Sequence, residues 1–124
     1  MLATIAPDGK TLLLLIPGGK FARSSIDGGA GTPLETFHDD DRPIGWSRDS
    51  QSVFVQRGLD APASVDRVDL ASGRRTTVRQ LSAEGVGSIT QINIKAWIDE
   101  GRWYVYNYTT LPSALFVVSG ATLP

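Results

Sequence analysis

The chain has 124 residues, 41% of them hydrophobic and 20% charged, with 12 Lys and Arg against 13 Asp and Glu for a formal net charge of −1. That is material for one domain with a real core, and the interleaving of basic with acidic residues excludes the basic stripe of a nucleic-acid module. No cysteine is present, so disulfides, thiolate metal centres and thiol catalysis are excluded as well.

The longest apolar run, Leu12 to Ile16, is too short to span a bilayer. Met1-Leu2-Ala3 lacks the basic head and long apolar core of a signal peptide, so the expectation is a chain that stays in the cytoplasm or is a piece of something longer. From the N-terminus, a strand over 2–6 turns at Pro7-Asp8-Gly9 into a second over 11–16, which breaks at Pro17-Gly18-Gly19. Proline presets φ for a turn and glycine supplies the positive φ that closes it. A third strand follows over 20–27, then Gly28-Gly29-Ala30-Gly31 and a possible fourth over 32–37.

The same grammar returns in a second unit, with strands over 42–47, 51–57, 64–70 and 74–81 separated by Arg48-Asp49-Ser50, a loop at Pro62 and Ala71-Ser72-Gly73. A third unit begins near Ile89, turns at Asp99-Glu100-Gly101, continues over 102–110, breaks at Pro112 and gives a last strand over 114–118. Residues 21–29 and 65–73 align without gaps, which makes the third strand of the first two units the same object. With 13 glycines and 7 prolines, no uninterrupted helical window of useful length remains.

The acidic turn residues stand 41 (Asp8 to Asp49) and 51 (Asp49 to Glu100) positions apart, close to the period of roughly 40–50 residues of four-stranded propeller blades. The second strands, Leu12 to Ile16, Val53-Phe54-Val55 and Trp103-Tyr104-Val105-Tyr106, are apolar or aromatic on both faces, as strands covered on both sides are. The expected fold is therefore all-β, in antiparallel four-stranded blades of a β-propeller: one domain over 1–124 with about three blades, at 1–38, 39–84 and 85–124. A plain two-sheet sandwich is the alternative. Leu13, Leu15, Phe54, Val55, Tyr104 and Val105 are expected in the core.

Gly9-Lys10-Thr11 resembles the tail of a phosphate-binding loop, but Thr4 stands where the pattern needs glycine and a strand follows instead of a helix. Gly28-Gly29-Ala30-Gly31 lacks the dinucleotide fingerprint, and no cofactor is expected. No Gly-x-Ser-x-Gly elbow accompanies His38, the single histidine, so the chain alone is not expected to be an enzyme. His38 with Asp39, Asp40 and Asp41 is the one candidate metal loop, otherwise a solvated connection between blades. Trp46, Trp103, Tyr104, Tyr106 and Tyr108 are the candidate binding residues; alternation puts Trp103, Val105 and Asn107 on one face and the three tyrosines on the other.

Ala6-Pro7-Asp8-Gly9-Lys10, Gly45-Trp46-Ser47-Arg48-Asp49-Ser50 and Val68-Asp69-Leu70-Ala71-Ser72-Gly73-Arg74 resemble the strand-turn-strand phrases of TolB-like β-propeller repeats, over almost the whole chain. Residues 103–120 resemble the end of propellers carried at the C-terminus of bacterial serine/threonine protein kinases. The resemblance implies a non-catalytic sensor or scaffold that binds a protein or small ligand, periplasmic or extracellular if the kinase likeness holds. A rival expectation is the gating propeller of a serine peptidase whose catalytic domain lies elsewhere. Three blades do not close a ring, so a homodimer or a larger propeller assembly is expected.

Overall fold

The computed structural model describes residues 3–16, 20–29, 31–82, 89–110 and 114–121. The first sheet contains β1 (Ala3–Ile5), β2 (Thr11–Ile16), β3 (Lys20–Ser25) and β4 (Thr32–Pro33). The second contains β5 (Asp41–Trp46), β6 (Ser52–Arg57), β7 (Ala63–Asp69) and β8 (Arg75–Leu81), and the third β9 (Ile89–Ile98), β10 (Trp103–Thr110) and β11 (Ala114–Ala121). Every sheet is antiparallel with its strands in chain order, and the described residues form no helix. The expected pairs are present, β2 with β3 through Leu15 opposite Phe21, and β6 with β7 through Val55 opposite Asp66.

The expected strand over 32–37 shrinks to Thr32–Pro33. Leu34 and Phe37 leave the ladder and pack on the core between the first two sheets, where Phe37 lies 5.1 Å from Phe21. The breaks at Pro17-Gly18-Gly19 and Pro112 lie outside the described residues.

The recurring turn phrase brings a left-handed residue to one position three times, and in the third turn Asp99 and Glu100 are left-handed as well, with φ of 53° and 55°. Gly9, Ser50 and Gly101 take the left-handed position, with φ of 69°, 61° and 91°. In the first two turns the strand is closed below it by Ala6 N–H donating to Thr11 O at 2.8 Å and Ser47 N–H to Ser52 O at 3.0 Å. Consecutive turns also clasp one another: Asp8 N–H donates to Ser50 Oγ at 3.0 Å, and Arg48 N–H to Glu100 Oε2 at 2.8 Å. Pro7 stands in the first turn where Arg48 stands in the second and has no N–H to give, so the donor moves one residue on.

Counting from these turns, Leu12 and Leu14 correspond to Val53 and Val55 and to Tyr104 and Tyr106. This back face looks at the preceding sheet: Val53 and Val55 meet Leu13 and Phe21 of the first sheet, and Tyr104 and Tyr106 meet Phe54 and Val65 of the second. The front face, Leu13 and Leu15 or Phe54 and Gln56, looks at the following sheet. The second sheet is thus covered on both sides, which is why Val53, Phe54 and Val55 are all buried. Leu13 is buried too, whereas Leu15, Tyr104 and Val105 are only half-buried. Val105 lies on the front face of the third sheet, against which no further sheet stands among the described residues.

Candidate functional site

Trp46 closes β5 on its back face and donates Nε1–H to Thr4 Oγ1 of the first sheet at 3.2 Å. Beneath it the two sheets part around a cavity of about 200 Å³ walled by Leu13, Phe21, Pro43, Ile44 and Val53, with Thr4 at its rim. Local sequence explains the gap. The register of β5 slips between Pro43 and Gly45, so Ile44 is bulged out of the ladder. Gly45 in turn lets the third sheet come close, because a Cβ there would stand 3.0 Å from Trp97 O. The strand is therefore held tightly on the side of the third sheet and loosely on the side of the first.

The tyrosines lie elsewhere. Phe54, Trp97, Tyr104, Tyr106 and Tyr108 form a continuous row between the second and third sheets, with successive ring centroids 5.9, 5.8, 5.9 and 6.3 Å apart. Arg79 covers its near end, 5.8 Å from the Trp97 ring and 5.7 Å from that of Tyr104, in cation–π geometry. Desolvation raises the Tyr106 hydroxyl pKa above its ordinary value, with smaller contributions from Tyr104 and Tyr108. Trp103 points the other way, 50% exposed, opposite Ile98, which is 55% exposed. The five candidate aromatic residues thus occupy three places: Trp46 at the cavity, the tyrosines in an internal row, and Trp103 on the front face of the third sheet.

His38, Asp40 and Asp41 come together, their ligand atoms within 4.8 Å, while Asp39 is not part of the group. Asp41 is the buried member and is already engaged. Its carboxylate accepts from His38 N–H at 2.7 Å and from the Arg75 guanidinium at 2.6 and 3.1 Å. The sequence reading missed Arg75, which also holds Asp66 at 2.9 Å and Thr36 O at 3.0 Å, while Arg57 and Thr77 complete Asp66 at 3.1 and 2.8 Å. Its guanidinium pKa is raised, first by the hydrogen bond to Asp41.

Gln56 was missed as well. Entirely buried, it donates Nε2–H to Ile92 O at 2.7 Å and accepts from Ile94 N–H at 3.0 Å, so its amide pairs with the open edge of β9 as a strand would. Leu59 O and Ala61 N–H continue that cover, taking Ile92 N–H at 2.9 Å and giving to Thr90 O at 3.1 Å. A glutamine following Val53-Phe54-Val55 was the available signal: a polar residue that keeps the alternation of a covered strand needs a partner on the next sheet.

No protein-family model and no curated protein matches the chain. Solved structures do. TolB from Acinetobacter baumannii superposes with a TM-score of 0.50 at 15% identity over 94% of this chain, and putative TolB from Agrobacterium tumefaciens with 0.51 at 21% over 94%. This is the fold of part of a TolB β-propeller. The chain spans 31% and 41% of the length of those two TolB chains. Stacked antiparallel sheets whose equivalent turns clasp one another accordingly match the blades of that fold, the third of them with three strands among the described residues.

Proposed function

We propose that this chain is a non-catalytic binding module, a sensor or scaffold segment of a TolB-type propeller with blades at 1–38, 39–84 and 85–124, assembled with further blades in a homodimer or a larger ring. The cavity beside Trp46 carries the reading. It is apolar, has a volume of about 200 Å³ and offers one hydroxyl, Thr4, at its rim. An apolar cavity of roughly 150 Å³ holds a benzene ring, so this one has room for a single aromatic or branched aliphatic side chain of a protein partner, or a small ligand of that shape. Pairing with Trp46 leaves the Thr4 O–H able to donate to a phenol or carbonyl oxygen at the mouth.

Titration with p-cresol, the side chain of tyrosine, followed by NMR of the methyl groups, tests this. Shifts confined to Thr4, Leu13, Ile44 and Val53, and abolished by Val53→Phe, are the expected result. Saturating p-cresol that moves none of these methyls overturns it. The non-catalytic part fails if the chain turns over a substrate and His38→Ala abolishes that activity.

A further inference from the structure

We infer that the turn over residues 98–101 is a strap across Trp97, held shut by ion pairs from the second sheet and released as ionic strength rises. The other two turns each hold one left-handed residue, whereas this one holds three in succession, Asp99, Glu100 and Gly101. Glycine takes that conformation freely, but Asp99 and Glu100 carry a Cβ that crowds the following carbonyl there. The turn's own hydrogen bonds are at the long end of the range, Gly101 N–H to Ile98 O at 3.2 Å and Arg102 N–H to Asp99 O at 3.1 Å. What fastens it comes from across the boundary. Arg48 N–H donates to the Glu100 carboxylate, the Arg67 guanidinium lies 3.6 Å from it, and the Arg48 guanidinium pairs with Asp99. Asp99 also meets Arg102 at 4.0 Å, but that partner is on the third sheet's side and ties nothing across. The Arg48 side chain is 70% exposed, and exposed pairs are weak and screened by salt.

Trp97 lies beneath the turn, buried, and its Nε1–H has no acceptor. The two ring atoms bonded to that nitrogen each face a glycine: a Cβ on Gly45 would stand 3.4 Å from Cδ1, and one on Gly101 would stand 2.6 Å from Cε2. The N–H is thus shut between two stretches of backbone, and lifting the turn lets water reach it. A buried donor without a partner favours that open state. The ring has supports that do not involve the turn, with Phe54, Tyr104 and Arg79 at 5.9, 5.8 and 5.8 Å, so it stays seated while the strap moves. Left-handed backbone and an unpaired indole oppose closure, and screened pairs with one backbone bond maintain it. Access to the boundary between the second and third sheets is therefore set by ionic strength, independently of the cavity at Trp46.

Exchange of the indole N–H protons with solvent, followed by NMR on the 124-residue chain, tests this. Raising NaCl from about 0.01 M to about 1 M shortens the Debye length from roughly 30 to 3 Å, and Trp97 is expected to exchange about tenfold faster. Trp46, bonded to Thr4 at the other boundary, is expected to keep its rate. Arg48→Ala combined with Glu100→Gln removes the pairs and keeps the left-handed backbone, and Trp97 is then expected to exchange fast at either salt concentration. Glu100→Gly in the same Arg48→Ala background removes the same charge but eases the backbone, and is expected to slow the exchange again. A parent chain whose Trp97 exchanges equally at both salt concentrations overturns the inference, whether or not the variants fold. So does a Trp46 rate that rises in parallel, which assigns the change to opening of the whole chain. An Arg48→Ala, Glu100→Gln chain as slow as the parent overturns it too, as does a Glu100→Gly chain no slower than the Glu100→Gln one.

Discussion

Between the first and second sheets the contact mixes aliphatic and aromatic side chains, Leu13 and Phe21 against Val53, Val55 and Val68, and its side-chain hydrogen bond is the neutral one from Trp46 to Thr4, while Arg75 between Asp41 and Asp66 ties strands within the second sheet. Between the second and third it is aromatic, the row from Phe54 to Tyr108, and its polar part combines the amide of Gln56 on the backbone of β9 with ion pairs from Arg48 to Asp99 and from Arg67 to Glu100. The turns and their clasps are common to both. Spacing and order of the sheets thus come from the repeated turn and the covered strands, while the filling varies. At the first boundary the bulge at Ile44 leaves a cavity. At the second the Trp97 ring and backbone demand positions without side chains at Gly45 and Gly101.

The buried ion cluster of the second sheet is expected to be the most fragile to a single polar change. Arg75→Met leaves the buried carboxylates of Asp41 and Asp66 facing each other with far less compensation, and a loss of about 3–5 kcal/mol in urea unfolding is expected. A loss under about 1 kcal/mol would mean that Arg57, Thr77 and water already satisfy them.

Next comes the aromatic boundary. Gly9 and Gly101 hold the same turn position, but a Cβ on Gly9 meets nothing within 4 Å whereas one on Gly101 falls 2.3 Å from Trp97 Cζ2. Gly9→Ala is expected to cost about 1–2 kcal/mol for the left-handed backbone alone, and Gly101→Ala about 3–4 with the collision added. Equal losses would show that Trp97 is not seated under the turn. Gln56→Leu keeps the volume and removes both amide bonds, stranding Ile92 O and Ile94 N–H; a loss of about 2–4 kcal/mol is expected from the same unfolding curves. A neutral result would mean that loop 59–61 alone covers the edge.

Much of this was legible in the sequence. Gly9, Ser50 and Gly101 announce the turns, and the unbroken apolar run at 53–55 announces a sheet covered on both sides. What stayed hidden depends on partners far along the chain. Arg75 meets Asp41 across 34 residues, and Gln56 meets Ile92 across 36. No spacing rule reaches that far. The cavity at Trp46 was equally hidden, because a bulge at Ile44 and a glycine facing the opposite sheet are matters of register and not of composition.

The smallest effect belongs to the feature the two boundaries share. Backbone amides hold the carboxylates of Asp8 and Asp69 below the usual value, led by Lys10 N–H and Ser72 N–H, and the Ser47 hydroxyl does most of this for Asp49. A folded-state pKa below the unfolded one means stabilisation that is full above the ordinary aspartate value and lost as pH falls through the lowered one. The melting temperature is expected to drop on acidification below about pH 4, and Asp49→Asn to flatten part of that drop. An unchanged slope in that variant would show that the hydrogen bonds to Asp49 contribute nothing to the acid loss.

Nuclear Overhauser contacts between methyl and aromatic groups test the stacking itself. Contacts of Leu13 with Val53 and Val68, and of Val65 and Ile94 with the Trp97 and Tyr106 rings, are expected, with none between the Leu13 and Leu15 methyls and the tyrosine row. Contacts joining Leu13 or Leu15 directly to Tyr104 or Tyr106 would mean that the first sheet closes on the third as a sandwich, and would contradict three consecutive blades.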